Sequence, residues 1–172
     1  MIFRLLDFWI VENRIFLCEK YIVMPKIILE TIINADVKNV FDLSRNIDLH
    51  KISAKQTNET AIAGKTKGLI ELGETVTWRA KHLGFYQTLT SKITEFEEPN
   101  YFVDEMVEGI FESFKHEHHF KNIDCGTLMV DIFEYKSPFG IFGKMADILF
   151  LKNYLTKFLK TRNKILKQIA EA

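Results

Sequence analysis

Cysteine is nearly missing. Cys18 and Cys125 are the only two in 172 residues, too few for a disulfide scaffold or a cysteine-built zinc site. Proline (3) and glycine (8) are also scarce, which excludes a linker-rich or low-complexity chain. No charge sign dominates: 23 Lys and Arg balance 23 Asp and Glu, whereas a dedicated nucleic-acid binder usually carries a basic excess. Nucleic acid is therefore not an expected partner. No apolar run is long enough to span a bilayer. What is abundant is phenylalanine, with 15 against 2 Trp and 5 Tyr. A chain of this length can remove roughly 70% of its unfolded surface from water. The excess of Phe points to an apolar interior larger than packing alone requires.

Residues 1–23 differ from the rest. Leu5, Leu6, Phe8 and Trp9 are apolar, but Asp7, Glu12 and Asn13 interrupt the run. No small-residue cleavage pattern follows, so a secretory signal is not expected. We read this stretch as an extension, a mis-assigned start, ahead of a single domain over 24–172 that begins at Met24. The alternative is an amphipathic element docking on the domain or on a partner. With no export signal and no span, the expected compartment is the cytoplasm.

Lys26 to Ile33 alternates and is β-branched, which predicts a strand. Asp36 is a candidate N-cap for a short helix through Val40, Phe41 and Leu43, and a second covers 47–54. Thr57–Ala63 and Gly64–Leu72 read as another strand with its turn. Five strand-like runs follow, over 74–83, 85–96, 101–108, 111–121 and 127–135, each bounded by Gly, Pro or Asn as antiparallel hairpins require. From Lys144 the period becomes helical, with Met145, Ile148, Leu149, Leu155, Leu159, Leu166 and Ile169 near one face. The expected fold is α+β: a curved antiparallel sheet wrapped around a long C-terminal helix, with two short helices. Packing that helix on the concave side of the sheet tends to leave an apolar cavity.

Charge is divided unevenly. Residues 138–172 hold seven basic and two acidic side chains, while 24–137 hold 13 basic and 18 acidic. One reading is a basic helix complementing an acidic sheet. The other is weak attraction to an anionic membrane surface.

Several strings resemble a known superfamily. They are Val76-Thr77-Trp78-Arg79-Ala80-Lys81-His82-Leu83-Gly84, Phe102-Val103-Asp104-Glu105-Met106 and Gly109-Ile110-Phe111. His116-Glu117-His118-His119-Phe120, Gly126-Thr127-Leu128-Met129-Val130-Asp131, Tyr135 and Pro138-Phe139-Gly140-Ile141-Phe142-Gly143 complete them. Together they resemble the SRPBCC (START-like, helix-grip) superfamily, in its bacterial polyketide-cyclase or cell-division-inhibitor-like branch. Ile110 stands where such relatives commonly have proline. The resemblance covers about 24–172 and implies the helix-grip fold with a hydrophobic pocket, without implying one reaction.

Alternation along the strands gives inward sets. Trp78 and His82 share a face, as do Asp104 and Met106, then Phe114, His116 and His118, then Met129, Asp131, Phe133 and Tyr135. If Gly109 lies opposite Phe111, Asp104 faces His116 and Phe102 faces His118. If Asn122 pairs with Cys125, His116 faces Asp131 and His118 faces Met129. The result is a row Asp104–His116–Asp131 across three strands, and a one-residue slip would break it. Such a row is a satisfied polar network, a ligand anchor, or an acid–base pair of His116 and Asp131. The H-x-H of His116 and His118 invites a metal, but no glutamate follows as in the cupin pattern, so no metal is expected.

Other motifs fail. Gly64-Lys65-Thr66-Lys67-Gly68 lacks the order of a phosphate loop, and Cys125 has no activating neighbour in the sequence. The expected function is binding of a small hydrophobic or amphipathic molecule, lipid-like or polyketide-like, with no cofactor, by a monomer or homodimer. Trp78, Leu89, Met106, Phe114, Met129, Phe133 and Tyr135 would line the cavity. Asp104, His116, His118 and Asp131 would orient the ligand's polar end, and His82 would contact it. Phe139 to Phe142 would gate the mouth, with Gly140 and Gly143 allowing movement. A cyclase or dehydratase using His116 and Asp131 is the alternative, as is an interaction module using the basic helix.

Overall fold

The computed structural model describes residues 25–172; the expectations for 1–23 lie outside the described residues. Strand β1 (Lys26–Ile33) turns Ile27, Leu29 and Ile33 inward. Two short helices follow, each started by a side chain that accepts orphan backbone N–H groups. Asp36 caps α1 (Val37–Ser44) by accepting from Lys38 and Asn39. Asn46 caps α2 (Ile47–Ser53) by accepting from Asp48 and Leu49.

The remaining strands are β2 (Thr60–Gly64), β3 (Thr75–His82), β4 (Phe85–Glu97), β5 (Tyr101–Glu108), β6 (Ser113–Ile123) and β7 (Gly126–Lys136). They form one antiparallel sheet in the order β1-β7-β6-β5-β4-β3-β2. Gly64–Leu72 is not a strand beyond β2. Its Ile70 N–H instead bonds the Arg45 carbonyl, and Leu69 bridges to Asn46, which ties this loop to α2.

The C-terminal helical run starts earlier than its periodicity predicts. It consists of α3 (Gly140–Ala146), a π-helical segment Asp147–Leu151, and α4 (Lys152–Ala170). Phe139 takes a left-handed φ of 65° and Gly140 one of 53°. This sharp corner brings the chain from β7 into the helix. Leu155, Leu159 and Leu166 are buried as expected, but Met145, Ile148, Leu149 and Ile169 are exposed. The wider π turn explains the first three: an i→i+5 step puts Met145, before it, and Ile148 and Leu149, within it, out of phase with the stripe of α4. Gly143 is close-packed, since a Cβ there would lie 2.1 Å from the Pro138 carbonyl oxygen. It permits a close approach of the helix to the Pro138 carbonyl.

Two apolar clusters fill the space between sheet and helix. In one, Phe41 of α1 meets Phe96, Phe102 and Phe120 edge-on, with centroids 5.3, 5.6 and 5.4 Å away. In the other, Phe114, Phe133 and Tyr135 pack with Leu155 and Leu159. No described helix is long and apolar enough to cross a membrane. Charge complementarity between helix and sheet is slight. Lys167 donates to the Ile32 carbonyl at 2.7 Å, yet among the described residues Lys144, Lys152, Lys157, Lys160 and Lys164 form no salt bridge.

Candidate functional site

The register brings the polar row together by a slightly different route. On β5 and β6, Asp104 lies opposite His116 and Phe102 opposite His118, as the turn at Ile110 predicts. On β6 and β7 the expected pairs are replaced. His118 faces Asp131, His116 faces Phe133, and Met129 faces Phe120. The hairpin closes at Ile123 and Gly126, where Gly126 has a φ of 122° and a Cβ would lie 2.3 Å from the Ile33 carbonyl oxygen. The displacement is two residues, so every inward side chain stays inward.

The side chains close into a network. Asp131 Oδ1 lies 3.1 Å from His116 Nε2 and 2.8 Å from His118 Nδ1. Asp104 Oδ1 lies 3.3 Å from His118 Nε2 and 3.7 Å from His116 Nδ1, the latter too long for a hydrogen bond. Asn163 of α4 donates to Asp131 Oδ2 at 2.6 Å, which pins the helix to the sheet.

Charge divides unequally within the network. Burial opposes the ionised form of Asp131, but hydrogen bonds from His116 and His118 hold it well below the usual carboxylate range. Asp104 is also lowered, against its burial, by His118 and His116. Burial and then repulsion from His118 push His116 down. For His118 burial works downward too, yet hydrogen bonds to Asp104 and Asp131 raise it overall. His118 is therefore the ring that takes a proton first. Asp104, His116 and His118 bring three metal-capable donor atoms within 4.8 Å of one another, although carboxylates already face both nitrogens of each ring.

Beside the network lies a two-chambered cleft. The outer chamber, about 310 Å³, opens between the β3–β4 and β5–β6 hairpins and the helical run. Trp78, His82, Leu89 and Phe142 line it as predicted, with Phe111 and Phe150. Glu59, Trp78, His82, Leu89, Phe111 and Leu155 also belong to the inner chamber of about 110 Å³. Asp104, Phe114, His116 and Phe133 complete that chamber from the predicted set.

Five predicted residues line neither chamber. His118, Asp131 and Met129 border a recess of only about 20 Å³ under α4. Tyr135 is wholly buried in the core. Met106 packs at the edge of the second cluster. The polar network thus reaches the cleft through Asp104 and His116 alone.

A second polar group at the cleft went unpredicted. His50 Nε2 lies 3.0 Å from Glu59 Oε1, and Arg162 Nη2 lies 2.9 Å from His50 Nδ1. The His50 ring stacks on Trp78 at 4.0 Å, and His82 Nδ1 lies 2.8 Å from the Tyr154 hydroxyl. Burial pushes His50 and His82 down, with the Arg162 charge adding to the effect on His50. Burial alone would raise Glu59, but His50 and Arg162 hold it below its ordinary value. One signal was available for the helix residues. Arg162 and Asn163 occupy the inward step between Leu159 and Leu166, where an apolar residue would continue the stripe. Glu59 offers no such pattern, because it precedes a short strand in a loop.

No protein-family model matches the chain, and no curated protein does. Solved structures do match. TTHA0849 from Thermus thermophilus aligns with a TM-score of 0.69 at 20% identity, over 84% of this chain and 95% of that one. Ginseng major latex-like protein 151 from Panax ginseng gives 0.63 at 17% identity, over 86% and 97%. KanY gives 0.68 at 11% identity, over 87% and 99%. The chain is similar to all three in fold, and that fold is the α+β helix grip expected of an SRPBCC-like sequence.

Proposed function

We propose that residues 24–172 form a single domain that binds a small hydrophobic or amphipathic molecule in the cleft between the sheet and the C-terminal helical run. The observation that carries this reading is the outer chamber of about 310 Å³, walled mainly by apolar side chains and open at an apolar lip. Its size falls at the low end of the range typical of small-molecule sites. Phe139 and Phe142 of the lip are 80% and 75% exposed, more apolar surface than a closed core would leave at one corner. This supports their role as the gate. Turnover by His116 and Asp131 is the weaker reading, since Asp131 lies behind His116, outside both chambers.

Native mass spectrometry of the full chain tests it. A reproducible added mass, released on denaturation, is expected. Leu89→Trp, which fills the junction of the chambers, should lower its occupancy about tenfold while circular dichroism shows the chain still folded. An empty protein that also fails to take up an added naphthalene-sulfonate dye would overturn the binding reading.

A second reading is favoured by a separate observation. Ile141, Ile148 and Leu149 are exposed on α3 and the π segment, and Lys157, Lys160 and Lys164 line the outer face of α4. Apolar and basic groups on one helical run suit an anionic bilayer surface. Co-sedimentation with phosphatidylserine vesicles should fall in a Phe139→Asp, Phe142→Asp variant and with added salt. Equal sedimentation of both proteins would remove it.

A further inference from the structure

The cleft holds two buried polar atoms with nothing to bond. Glu59 Oε2 and Arg162 Nε lack any hydrogen-bond partner among the described residues. The Glu59 side chain is only 8% exposed, and its other oxygen is taken by His50. Arg162 spends Nη2 on His50 Nδ1. Both residues line the inner chamber, and Glu59 lines the outer one as well. Buried polar groups left unpaired are costly, and proteins rarely tolerate them without a partner. Here one orphan accepts and the other donates, in a single enclosed space otherwise dominated by Leu89, Phe111, Phe114, Phe133 and Leu155.

We propose that the ligand's polar end is a hydroxyl group, which donates to Glu59 Oε2 and accepts from Arg162 Nε while its apolar body lies towards the lip. This rests on the cleft-binding reading and deepens it by naming the head group. A hydroxyl is the small group that both donates and accepts, so it is the one head group whose chemistry matches both an acceptor and a donor left unpaired on the same chamber. A carboxylate suits Arg162 only, and on its way in it passes Glu59 and then meets Asp104 across the inner chamber. An ammonium suits Glu59 only and faces the Arg162 guanidinium. The neighbouring His50, His82 and Tyr154 are engaged with one another or with this pair, so they do not change the balance.

The test uses three probes with one tail: 1-decanol, decylamine and decanoate, each measured against the full chain by displacement of the naphthalene-sulfonate dye at pH 7.5. The alcohol should bind about tenfold more tightly than either charged probe, the factor that one lost buried hydrogen bond commands. Glu59→Gln keeps the side chain's size and its bond to His50. It should cut the alcohol-to-decanoate ratio at least about fivefold, because the repelling charge has gone and an amide N–H donor stands where the free acceptor was. Decanoate or decylamine binding as tightly as the alcohol would overturn the proposal, as would an unchanged ratio in the variant. If Glu59→Gln does not fold by circular dichroism, the order of the three probes on the unmodified chain decides. Failure of all three probes to displace the dye or bind would instead overturn the cleft reading, whereas binding without rank by head group overturns only this inference.

Discussion

Replacing Asp131 by Asn removes one charge from the centre of the polar network and almost no volume. The Asp131 side chain is 4% exposed and receives three contacts: His116 Nε2 at 3.1 Å, His118 Nδ1 at 2.8 Å and Asn163 Nδ2 at 2.6 Å. A carboxylate accepts all three, whereas an amide accepts on one side and donates on the other. In Asp131→Asn one amide hydrogen must therefore confront a donor, and His118 keeps a single carboxylate, Asp104. Removing one partner of a buried charge pair costs about 3–5 kcal/mol. Asp104 remains and shares the proton, so the lower end, about 3 kcal/mol, applies here. For a domain of this size that lowers the melting temperature by about 6–12 °C. Calorimetry reads the shift, and the His118 ring resonances read its cause: the pH at which they titrate should fall in the variant, because one of two charge-assisted bonds is gone. A melting temperature within about 2 °C of the unmodified protein, with an unmoved His118 titration, would refute this account of the network.

Phe41→Ala deletes a ring that meets Phe96, Phe102 and Phe120 edge-on with no exposed surface, and it should cost about 3–5 kcal/mol, read as a lower urea midpoint. Stability should also fall with acid in two stages. His50, His82 and His116 are lowered, so their contribution is complete above their unfolded value near pH 6.5 and is lost as pH falls below it. His118 is raised; its contribution is complete below about pH 6.5 and fades as pH rises through its folded value, so its window lies above that of the other three. Asp104 and Asp131 are lowered. Their contribution is complete above about pH 4 and drains away below it, giving the second stage. Urea midpoints from pH 3 to 8 measure both stages, and a flat profile between pH 4 and 6.5 would contradict the histidine assignments.

Much of this was legible in the residues. Strand β1 announces itself through alternating Ile and Leu, and Asp36 sits where a helix start needs an acceptor. The hairpins are written in their turn residues. Exact register is harder to read, because it depends on which residue takes the positive φ. Gly126 does so, and the β6–β7 hairpin closes one residue further along the chain on both strands, at Ile123 and Gly126, than a turn pairing Asn122 with Cys125 would place it. The inward faces survived, since a shift of two keeps the pleat in phase. What lay beyond a sequence reading is which inward residues meet empty space. Asp131 and His118 alternate inward as Asp104 and His116 do, yet α4 covers the first pair and leaves the second facing the cleft. Glu59 enters the site from a loop with no period at all.

How the cleft opens follows from where the helical run is fastened. Along α4 the fastenings are polar and partly buried, from Asn163 to Asp131 and from Arg162 to His50, with Leu155 and Leu159 buried before them and Leu166 after them. Around α3 they are few. Ser137 donates to Asp147 at 2.6 Å, and Gly143 lies close against the Pro138 carbonyl. Ile141, Phe142, Met145, Ile148 and Leu149 make little contact with the sheet and remain exposed. The segment at the mouth of the outer chamber is therefore the one with the least buried surface, and the π turn lies at the boundary between it and α4. Wide helical turns of this kind carry an extra residue that can be taken up when a helix shifts. The network of Asp104, His116, His118 and Asp131 can stay intact throughout, because among the described residues its hydrogen-bonded link to the helix is Asn163, beyond the boundary. The same division accounts for two features that would otherwise conflict in one small domain: a hydrogen-bonded charged core that holds the sheet and α4 in register, and an apolar lip exposed at a cost that binding at the mouth would offset.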